Sequence, residues 1–462
     1  MRIPVSLFNA FWGALILIAG IALEAAERSA GGSITFNTHV ARILHERCAS
    51  CHRPGQAAPF SLLTYEDVAK RAQLIGAVTQ SRYMPPWHAE PGYGSFKGER
   101  HMSDSEIAQI AIWVEAGAPE GRGASPEPPE FSSDWILGEP DVVVKMEEPY
   151  TIPADGPDIY RNFPARIPTA EDRWLRAYQF RPLVRSVVHH SLFKADPTGR
   201  ARRLDAEDEE PGYGGMGSGA VPGRIALGGW AVGGSTRVMP PGCQILVPAG
   251  SDFLFESHFH PSGKEETEVS EIALYFTDEP ASRTRVVFQL PPRYGLGAGI
   301  DIQPGDDQFT IGESFTLPAD MELFGVTPHA HYIAKEFKAW AEAPGGAEIP
   351  LIWIKDWDFA WQDMYVYEEP VALPAGATIH ARIRYDNSAE NPRNPTAPPK
   401  RVLWGRGSTD EMGSVIFTAM PVNESDVPAI SEELAKLRRK HNGLIRQYLS
   451  SVPTRRRVRP GR

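Results

Sequence analysis

The residues with the clearest chemistry form one pentapeptide, Cys48-Ala49-Ser50-Cys51-His52. C-x-x-C-H is the attachment signature of a c-type haem, in which the two thiols form thioethers and the histidine ligates iron. The chain has only 3 cysteines, and two of them stand in this motif. The alternative is a thioredoxin-like thiol pair, but no βαβ pattern surrounds the motif. The sequence therefore predicts one covalent haem c held by Cys48, Cys51 and His52.

A haem of this kind also needs a second axial ligand, and Met84 is the preferred candidate. It lies in Tyr83-Met84-Pro85-Pro86-Trp87. The proline pair keeps this loop extended and stiff, which suits a thioether that must be held against iron. A thioether opposite a histidine raises the potential, as electron transfer requires. Met102, His88 and His101 are the competing ligands.

Histidines in the rest of the chain form a second chemical signal. They are concentrated in four places: His189-His190, His258-Phe259-His260, His329-Ala330-His331 and the isolated His380. An H-x-H pair on a strand points both imidazoles to one face, because side chains alternate with a period of two. Adjacent histidines point to opposite faces and can share a metal only at a strand end or at a bulge. The pattern predicts metal binding on strands.

The order of these motifs resembles the copper type II, ascorbate-dependent monooxygenases, the family of dopamine β-monooxygenase and peptidylglycine α-hydroxylating monooxygenase. The similarity covers about residues 135–421. The matching pieces are Val188-His189-His190, Trp230-Ala231-Val232-Gly233-Gly234, Glu256-Ser257-His258-Phe259 with Ile272-Ala273-Leu274-Tyr275-Phe276, His329-Ala330-His331, and Ser408-Thr409-Asp410-Glu411-Met412.

This resemblance implies two copper ions with different ligands. An electron-transfer copper would be held by His189, His190 and His258. An oxygen-binding copper would be held by the catalytic set His329, His331 and Met412. Three imidazoles suit a copper that alternates between Cu(I) and Cu(II), and a soft thioether favours Cu(I). Zinc is the competing metal, and a methionine ligand argues against it.

The sequence leaves the roles of three further residues open. His260 is either a group that supports the metal ligands or an alternative ligand to His258. His380 stands alone in sequence and is more readily explained as a structural histidine. Cys243 has no cysteine partner in this half, so the disulfides of the animal enzymes are missing, and it is expected to be a small apolar core residue.

The substrate pocket departs from the family pattern. The peptide-hydroxylating branch binds a peptide carboxylate with an arginine, an asparagine and a tyrosine. At the corresponding places this chain has Thr327, Ser414 and Ile416. Because these residues cannot form a bidentate clamp on a carboxylate, a peptidylglycine substrate is not expected.

The elements that position these motifs are predicted to be helical first and β-rich afterwards. Periodic apolar residues predict helices over residues 38–46, 65–78 and 103–116, the last with a capping box from Ser103 to Glu106. The expected fold class is multidomain, with an all-α cytochrome c-like domain followed by two antiparallel jelly-roll-like sandwich domains. The expected divisions are 34–118 for the haem domain, 119–134 for a Pro/Gly/Glu-rich linker, 135–288 and 289–425 for the β domains, and 426–462 for a C-terminal helix and basic tail.

The N-terminus and the overall charge limit the possible location and partners of the protein. Residues 1–26 resemble a secretory signal, with an uncleaved N-terminal membrane anchor as the alternative. Covalent haem attachment takes place outside the cytoplasm, so a periplasmic or extracellular protein is expected. The net charge of -11 argues against a nucleic-acid partner.

Together these features predict an exported oxidoreductase in which the haem passes electrons to the first copper. The second copper would then use O2 to hydroxylate an aliphatic C–H bond of a small organic substrate. The electrons would come from an ascorbate-like reductant or from a redox protein, and flow in the opposite direction stays open. The alternative is an electron-transfer protein whose β half only binds copper or docks a partner. Substrate, physiological donor and oligomeric state do not follow from the sequence.

Overall fold

The computed structural model describes residues 33–54, 56, 58–131, 135–215, 221–231, 234 and 236–451. The predicted signal or anchor over residues 1–26 and the basic tail Arg455-Arg456-Arg457 lie outside the described residues. Within these ranges, no helix combines the length and the apolar character needed to cross a membrane.

The chain divides into two compact units, and the first contains described residues 33–85 and 101–131. Its elements are a π-helical turn at Phe36–Val40 and the helices α1 (Ala41–Arg47), α2 (Tyr65–Ala69), α3 (Ala72–Gln80) and α4 (Asp104–Glu115). Phe36, Leu44, Ile110 and Trp113 are fully buried in its core. The predicted capping box at the start of α4 is confirmed, since the Ser103 side chain accepts from the Glu106 N–H and Glu106 accepts from the Ser103 N–H.

The predicted fold class was wrong. The described chain is mainly β, with 34% strand against 18% helix, and it has no large all-α N-terminal domain. The helices of the first unit are short, and the segment predicted as one helix over residues 65–78 is broken at Arg71, whose φ of -121° is not helical. Residues 86–100, which were expected inside the helical domain, belong to the second unit. There Ala89 bridges Ile354 and Phe96 bridges Tyr367.

Between residues 142 and 277 of the second unit, the described residues form twelve short strands and one helix. They are β1 (Val142–Lys145), β2 (Tyr150–Ile152), β3 (Ile159–Arg166), β4 (Arg173–Arg181), β5 (Val188–Asp196), α5 (Arg200–Asp205), β6 (Tyr213–Gly214), β7 (Ile225–Ala231), β8 (Arg237–Val238), β9 (Ile245–Val247), β10 (Asp252–Phe259), β11 (Glu266–Glu268) and β12 (Glu271–Thr277). One sheet has the order β1-β12-β4-β8, with β9 also on β4, and a second has the order β6-β3-β10-β5-β7. A separate pair joins β11 to β2.

One apolar core is shared by the two five-stranded sheets of this half. Phe180 and Leu274 come from the first sheet, while Phe193, Phe253 and Phe255 come from the second. Burying each phenylalanine contributes about 1.5–3 kcal/mol. These rings hold β5 and β10, the two strands that carry the first histidine cluster, in a fixed register.

The remaining strands form a second set of sheets with its own core. They are β13 (Val286–Leu290), β14 (Asp301–Ile302), β15 (Thr310–Thr316), β16 (Met321–Ala330), β17 (Ala334–Glu342), β18 (Glu348–Ile354), β19 (Tyr365–Leu373), β20 (Thr378–Tyr385), β21 (Val402–Leu403) and β22 (Gly413–Pro421). Two four-stranded sheets have the orders β13-β22-β16-β19 and β15-β20-β17-β18, and β14 pairs with β21. Phe288, Val326, Phe337, Ile383 and Phe417 are buried in this second core.

The chain described here ends with a long helix, α6 (Val427–Ser451), as the sequence predicted. Ile430, Leu434 and Leu437 bury its apolar side in the second core. Its polar anchor is Glu313 on β15, which accepts a hydrogen bond of 2.5 Å from Nε2 of His441 and one of 3.0 Å from Lys440. The helix therefore packs on the second set of sheets.

Acid is expected to loosen this helix. Burial tends to raise the pKa of Glu313, but hydrogen bonds from His441, Ser314 and Lys440 outweigh it and lower the pKa from 4.5 to about 2. Because the folded pKa is below the unfolded value, the stabilisation is present above about pH 4.5 and is lost as the pH falls towards 2. Glu313→Gln should remove on the order of 2 kcal/mol at pH 7 and about a quarter of that at pH 2.5. Urea unfolding of both proteins across this pH range measures the difference, and a difference independent of pH would contradict it.

Candidate metal centres

Three histidines of the first set of sheets converge at one point. His189 and His190 lie on β5, and His258 lies on β10. One ring nitrogen from each lies within 4.8 Å of the others. Nδ1 of His190 is 3.0 Å from Nδ1 of His189 and 3.4 Å from Nδ1 of His258. Among the described residues, these three form a group whose spacing is suited to holding one metal ion.

A β-bulge explains how two adjacent histidines reach the same point. His258 pairs with His190 across the ladder, and the next residue, Phe259, pairs with Val188. His189 is therefore the extra residue of the bulge. A bulge bends the strand and re-aims one side chain, so both imidazoles face His258. The condition derived from the sequence, a bulge or a strand end at this pair, is confirmed.

Burial disfavours the charged form of two histidines in this cluster. Burial, with the neighbouring His258 adding to it, lowers the pKa of His189 to about 4. Burial also places the pKa of His190 well below its ordinary value. Both rings are thus neutral at pH 7, the form in which imidazole ligates metals.

Asp158 contacts the ring nitrogen of His258 that faces away from the cluster. Its Oδ2 lies 2.9 Å from Nε2 of His258, and its Oδ1 lies 2.8 Å from Nδ1 of His260. These hydrogen bonds, chiefly that from His258, lower the pKa of Asp158 to about 2. Since a carboxylate only accepts, Nε2 is the nitrogen of His258 that carries a proton towards Asp158, and Nδ1 is the nitrogen that faces His190.

The structure thereby separates His258 from His260. The His260 side chain is 63% exposed and bonds Asp158, whereas the His258 side chain is 2% exposed and belongs to the cluster. His380 lies elsewhere, on the outward side of β20, where it stacks on Trp340 at 5.0 Å and bonds Ser314 at 2.7 Å. A structural role explains His380 fully.

The second predicted ligand set lies in the other group of sheets. His329 is near the end of β16, His331 follows that strand, and their rings are 5.6 Å apart. Met412 directly precedes β22 and is 7% exposed. Because Ala330 pairs with Gly413, the ladder brings Met412 alongside His331 at the end of the strand pair.

In both histidines of this set, a neighbouring acceptor indicates which ring nitrogen carries the proton. Nδ1 of His331 is 3.1 Å from the Asp410 carbonyl, which can only accept. Nδ1 of His329 is 2.6 Å from Oε1 of Gln362, and the Gln362 amide is oriented by donating to the Phe359 carbonyl at 3.0 Å. Both Nδ1 atoms are therefore protonated, which leaves Nε2 of each ring as the metal donor. Burial lowers the pKa of His329 to about 4 and also lowers that of His331.

Glu411 ties the methionine segment to the histidine segment. Its fully buried carboxylate accepts the backbone N–H of His331, Ile333 and Met412, each at 3.0 Å. Burial raises its pKa to about 8 even though these hydrogen bonds oppose the change. Glu411 lies within the sequence motif 408–412, where no local pattern indicates this role. Only its position directly before the predicted ligand was an available signal.

One loop, residues 355–364 between β18 and β19, contacts both clusters. The ring of Phe359 lies 5.6 Å from that of His189 and 5.6 Å from that of His331. The ring centroids of His189 and His331 are therefore no farther apart than twice 5.6 Å. Asp363 of the same loop pairs with Arg237 on β8 at 2.8 Å. Sequence reasoning missed this loop, because its residues form no motif.

The predicted haem-attachment motif lies where α1 ends. The N–H groups of Cys51 and His52 both bond the Cys48 carbonyl, so the motif forms a tight turn. Nδ1 of His52 is 3.2 Å from the Phe60 carbonyl, which leaves Nε2 for iron. Burial, with Cys51 nearby, raises the pKa of the Cys48 thiol to about 12. The two thiols and the imidazole are the donor set that thioether attachment and iron ligation need.

The four candidates for the second axial ligand of the haem lie in different surroundings. Met84 is half-buried in the turn after α3, where its N–H bonds the Val78 carbonyl. Met102 is 3% exposed in the helical core, and His101 bonds Arg82. His88 belongs to the second unit. The assignment of Met84 stays a prediction.

Cys243 lies apart from all these groups. It is a free cysteine, 2% exposed, in the first set of sheets. Its burial agrees with the apolar core residue expected from the sequence.

Comparisons with known proteins do not define a family for this chain. No family model matches it, and no curated protein does. Solved structures that align with it include peptide:N-glycanase F, with 9% identity, a TM-score of 0.26 and coverage of 61% of this chain and 95% of that one. The major capsid protein P2 of bacteriophage PM2 has 9% identity, a TM-score of 0.25 and coverage of 61% and 97%. An α-L-fucosidase from Bacteroides ovatus has 11% identity, a TM-score of 0.17 and coverage of 62% and 40%. Similarities this weak carry no argument about function.

Proposed function

We propose that this protein is an exported haem- and copper-dependent monooxygenase. Haem c would be held by Cys48, Cys51 and His52, with Met84 as the second axial ligand. One copper would be held by His189, His190 and His258, and the other by His329, His331 and Met412. When bound, these groups supply one-electron transfer and the activation of O2 for hydroxylation of an aliphatic C–H bond.

The observation that carries this proposal is the convergence of His189, His190 and His258, with ring nitrogens within 4.8 Å of one another. The rings of His189 and His190 are uncharged at neutral pH, and the Nδ1 atom of His258 faces them. Three imidazoles form a site suited to copper in both oxidation states. Nearby, His329 and His331 each present Nε2, and the buried Met412 adds a thioether, a donor that favours Cu(I) over zinc.

The chain's own residues contribute positioning and exclusion of water. Asp158, Gln362 and the Asp410 carbonyl orient three of the candidate ligands, and Glu411 holds Met412 beside His331. Phe359 packs against one histidine of each cluster and limits solvent between them. Orientation of ligands and control of solvent are what a protein supplies to such metals.

The overall reaction defines the partners. One O2, one substrate C–H bond, two electrons and two protons give an alcohol and water. The electrons come from an ascorbate-like reductant or from a redox protein, and the substrate is a small organic molecule. A haem on the same chain accounts for delivery of single electrons from such a donor. The proposed location, periplasmic or extracellular, follows from the chemistry of covalent haem attachment.

Metal analysis of full-length protein matured with haem, paired with an electronic spectrum, tests the proposal. The expected result is about one iron and two copper per chain, with reductant-dependent O2 uptake. One iron with zinc, or with no metal in the β half, would contradict the monooxygenase. Two copper without O2 uptake would instead favour the alternative, an electron-transfer protein with a copper-binding module.

A further inference from the structure

We infer that Asp158 is a positioning residue of the first metal centre, where it sets the donor strength of His258 and hence the preference of the site for Cu(II). This inference rests on the proposed function, because it concerns the copper assigned to that centre. It adds a residue that no sequence motif marks.

The geometry places Asp158 between a buried histidine and an exposed one. Its Oδ2 lies 2.9 Å from Nε2 of His258, and its Oδ1 accepts from Nδ1 of His260 at 2.8 Å. Its side chain is only 16% exposed. Each carboxylate oxygen is thus engaged by a different histidine, and His260 fixes the carboxylate from the solvent side.

A second contact restricts the ring of His258. Tyr160 is the ladder partner of His258, and the two rings stack with centroids 4.3 Å apart and planes 19° from parallel. Stacking restrains the ring plane, while the 2.9 Å contact with the Asp158 carboxylate disfavours rotation of the ring about its Cβ–Cγ bond. Nδ1 of His258 therefore stays directed at His189 and His190.

The charge of Asp158 has an electronic consequence. A carboxylate that accepts from the far nitrogen of a metal-bound imidazole raises the basicity of the near nitrogen. A more basic imidazole favours Cu(II), the harder ion, over Cu(I). Removal of the carboxylate should therefore weaken Cu(II) binding more than Cu(I) binding and raise the reduction potential of this copper.

The test uses the full-length holoprotein with Asp158→Ala and Asp158→Asn. The asparagine variant retains a neutral acceptor and the shape of the side chain, so it reports the loss of charge even if the alanine variant folds poorly. Asp155→Ala is the matched control, because this exposed carboxylate precedes Asp158 in the same segment. The measurements are competitive titrations with Cu(II) and Cu(I), Cu(II) EPR spectra and the reduction potential.

The expected result for Asp158→Ala is a fall of about 10–100-fold in Cu(II) affinity at one site. A smaller fall for Cu(I), a changed EPR signal and a raised potential should accompany it. Asp158→Asn should fall between Asp158→Ala and the wild type, and Asp155→Ala should match the wild type. Two copper sites with unchanged affinities, spectra and potential in Asp158→Ala would overturn the role of Asp158 alone. A wild-type chain that binds no copper would overturn the proposed function, and the role of Asp158 with it.

Discussion

Replacing Met412 with isoleucine should abolish reductant-driven hydroxylation and leave the haem and the first copper in place. The substitution removes the thioether, the donor that favours Cu(I) in the proposed second site. Isoleucine is apolar and close in size, so the buried position is filled. The contacts that hold this segment are made by the backbone. Glu411 accepts the Met412 N–H at 3.0 Å, and Tyr385 donates to the Met412 carbonyl at 3.1 Å.

Three measurements on one preparation decide this outcome: the haem spectrum, the copper content, and oxygen consumption driven by ascorbate. We expect an unchanged haem band, retention of the copper at the first centre, and oxygen consumption at the level of metal-free protein. Met420→Ile is the matched control, since Met420 lies on β22 and is fully buried but is assigned no ligand role. Full turnover by Met412→Ile would refute the assignment of this ligand.

The double variant Cys48→Ser, Cys51→Ser should contain no covalently bound haem. Both thioethers need a cysteine sulfur, and a serine hydroxyl cannot replace it. The histidine clusters belong to the other compact unit, so copper content should not change. If the haem delivers electrons to copper, turnover with a redox-protein donor should be lost, while turnover with ascorbate, which reduces copper directly, should persist.

Haem retention on the denatured chain measures the first part of this prediction. Cys243→Ala is the control, because it removes the remaining cysteine of the chain and should leave the haem attached. Haem that stays bound to the denatured double variant would exclude these thiols as its attachment points. Equal loss of turnover with both donors would show that the haem has a role other than relaying electrons from a protein partner.

The sequence was most informative where a function depends on residues close together in the chain. The motif from Cys48 to His52 is recognisable because its two thiols and its histidine are fixed by one turn of backbone. The capping box of Ser103 and Glu106 is equally local, and the structure has it. The predicted fold class was wrong, because it depends on packing between segments that are far apart in the chain. Local apolar periodicity did not reveal that the helices stay short or that residues 86–100 join the β unit.

For the candidate metal centres, sequence by itself determined the donor types and their approximate strands. H-x-H spacing and the adjacent pair identified His189, His190, His258, His329 and His331 as candidates. It also determined that an adjacent pair needs a break in the ladder, because side chains on a regular strand alternate between faces.

Only the tertiary structure decided which of these groups meet and in what form. The bulge opposite His258 turns His189 towards His190, and the choice of His258 over His260 follows from pairing with β5. Asp158 and Gln362 contact candidate ligands that are distant from them in sequence. Glu411 acts through the backbone N–H groups of His331 and Met412. Phe359 reaches both clusters from a loop. Such contacts depend on register and packing between segments far apart in the chain, and no local pattern of residues encodes them.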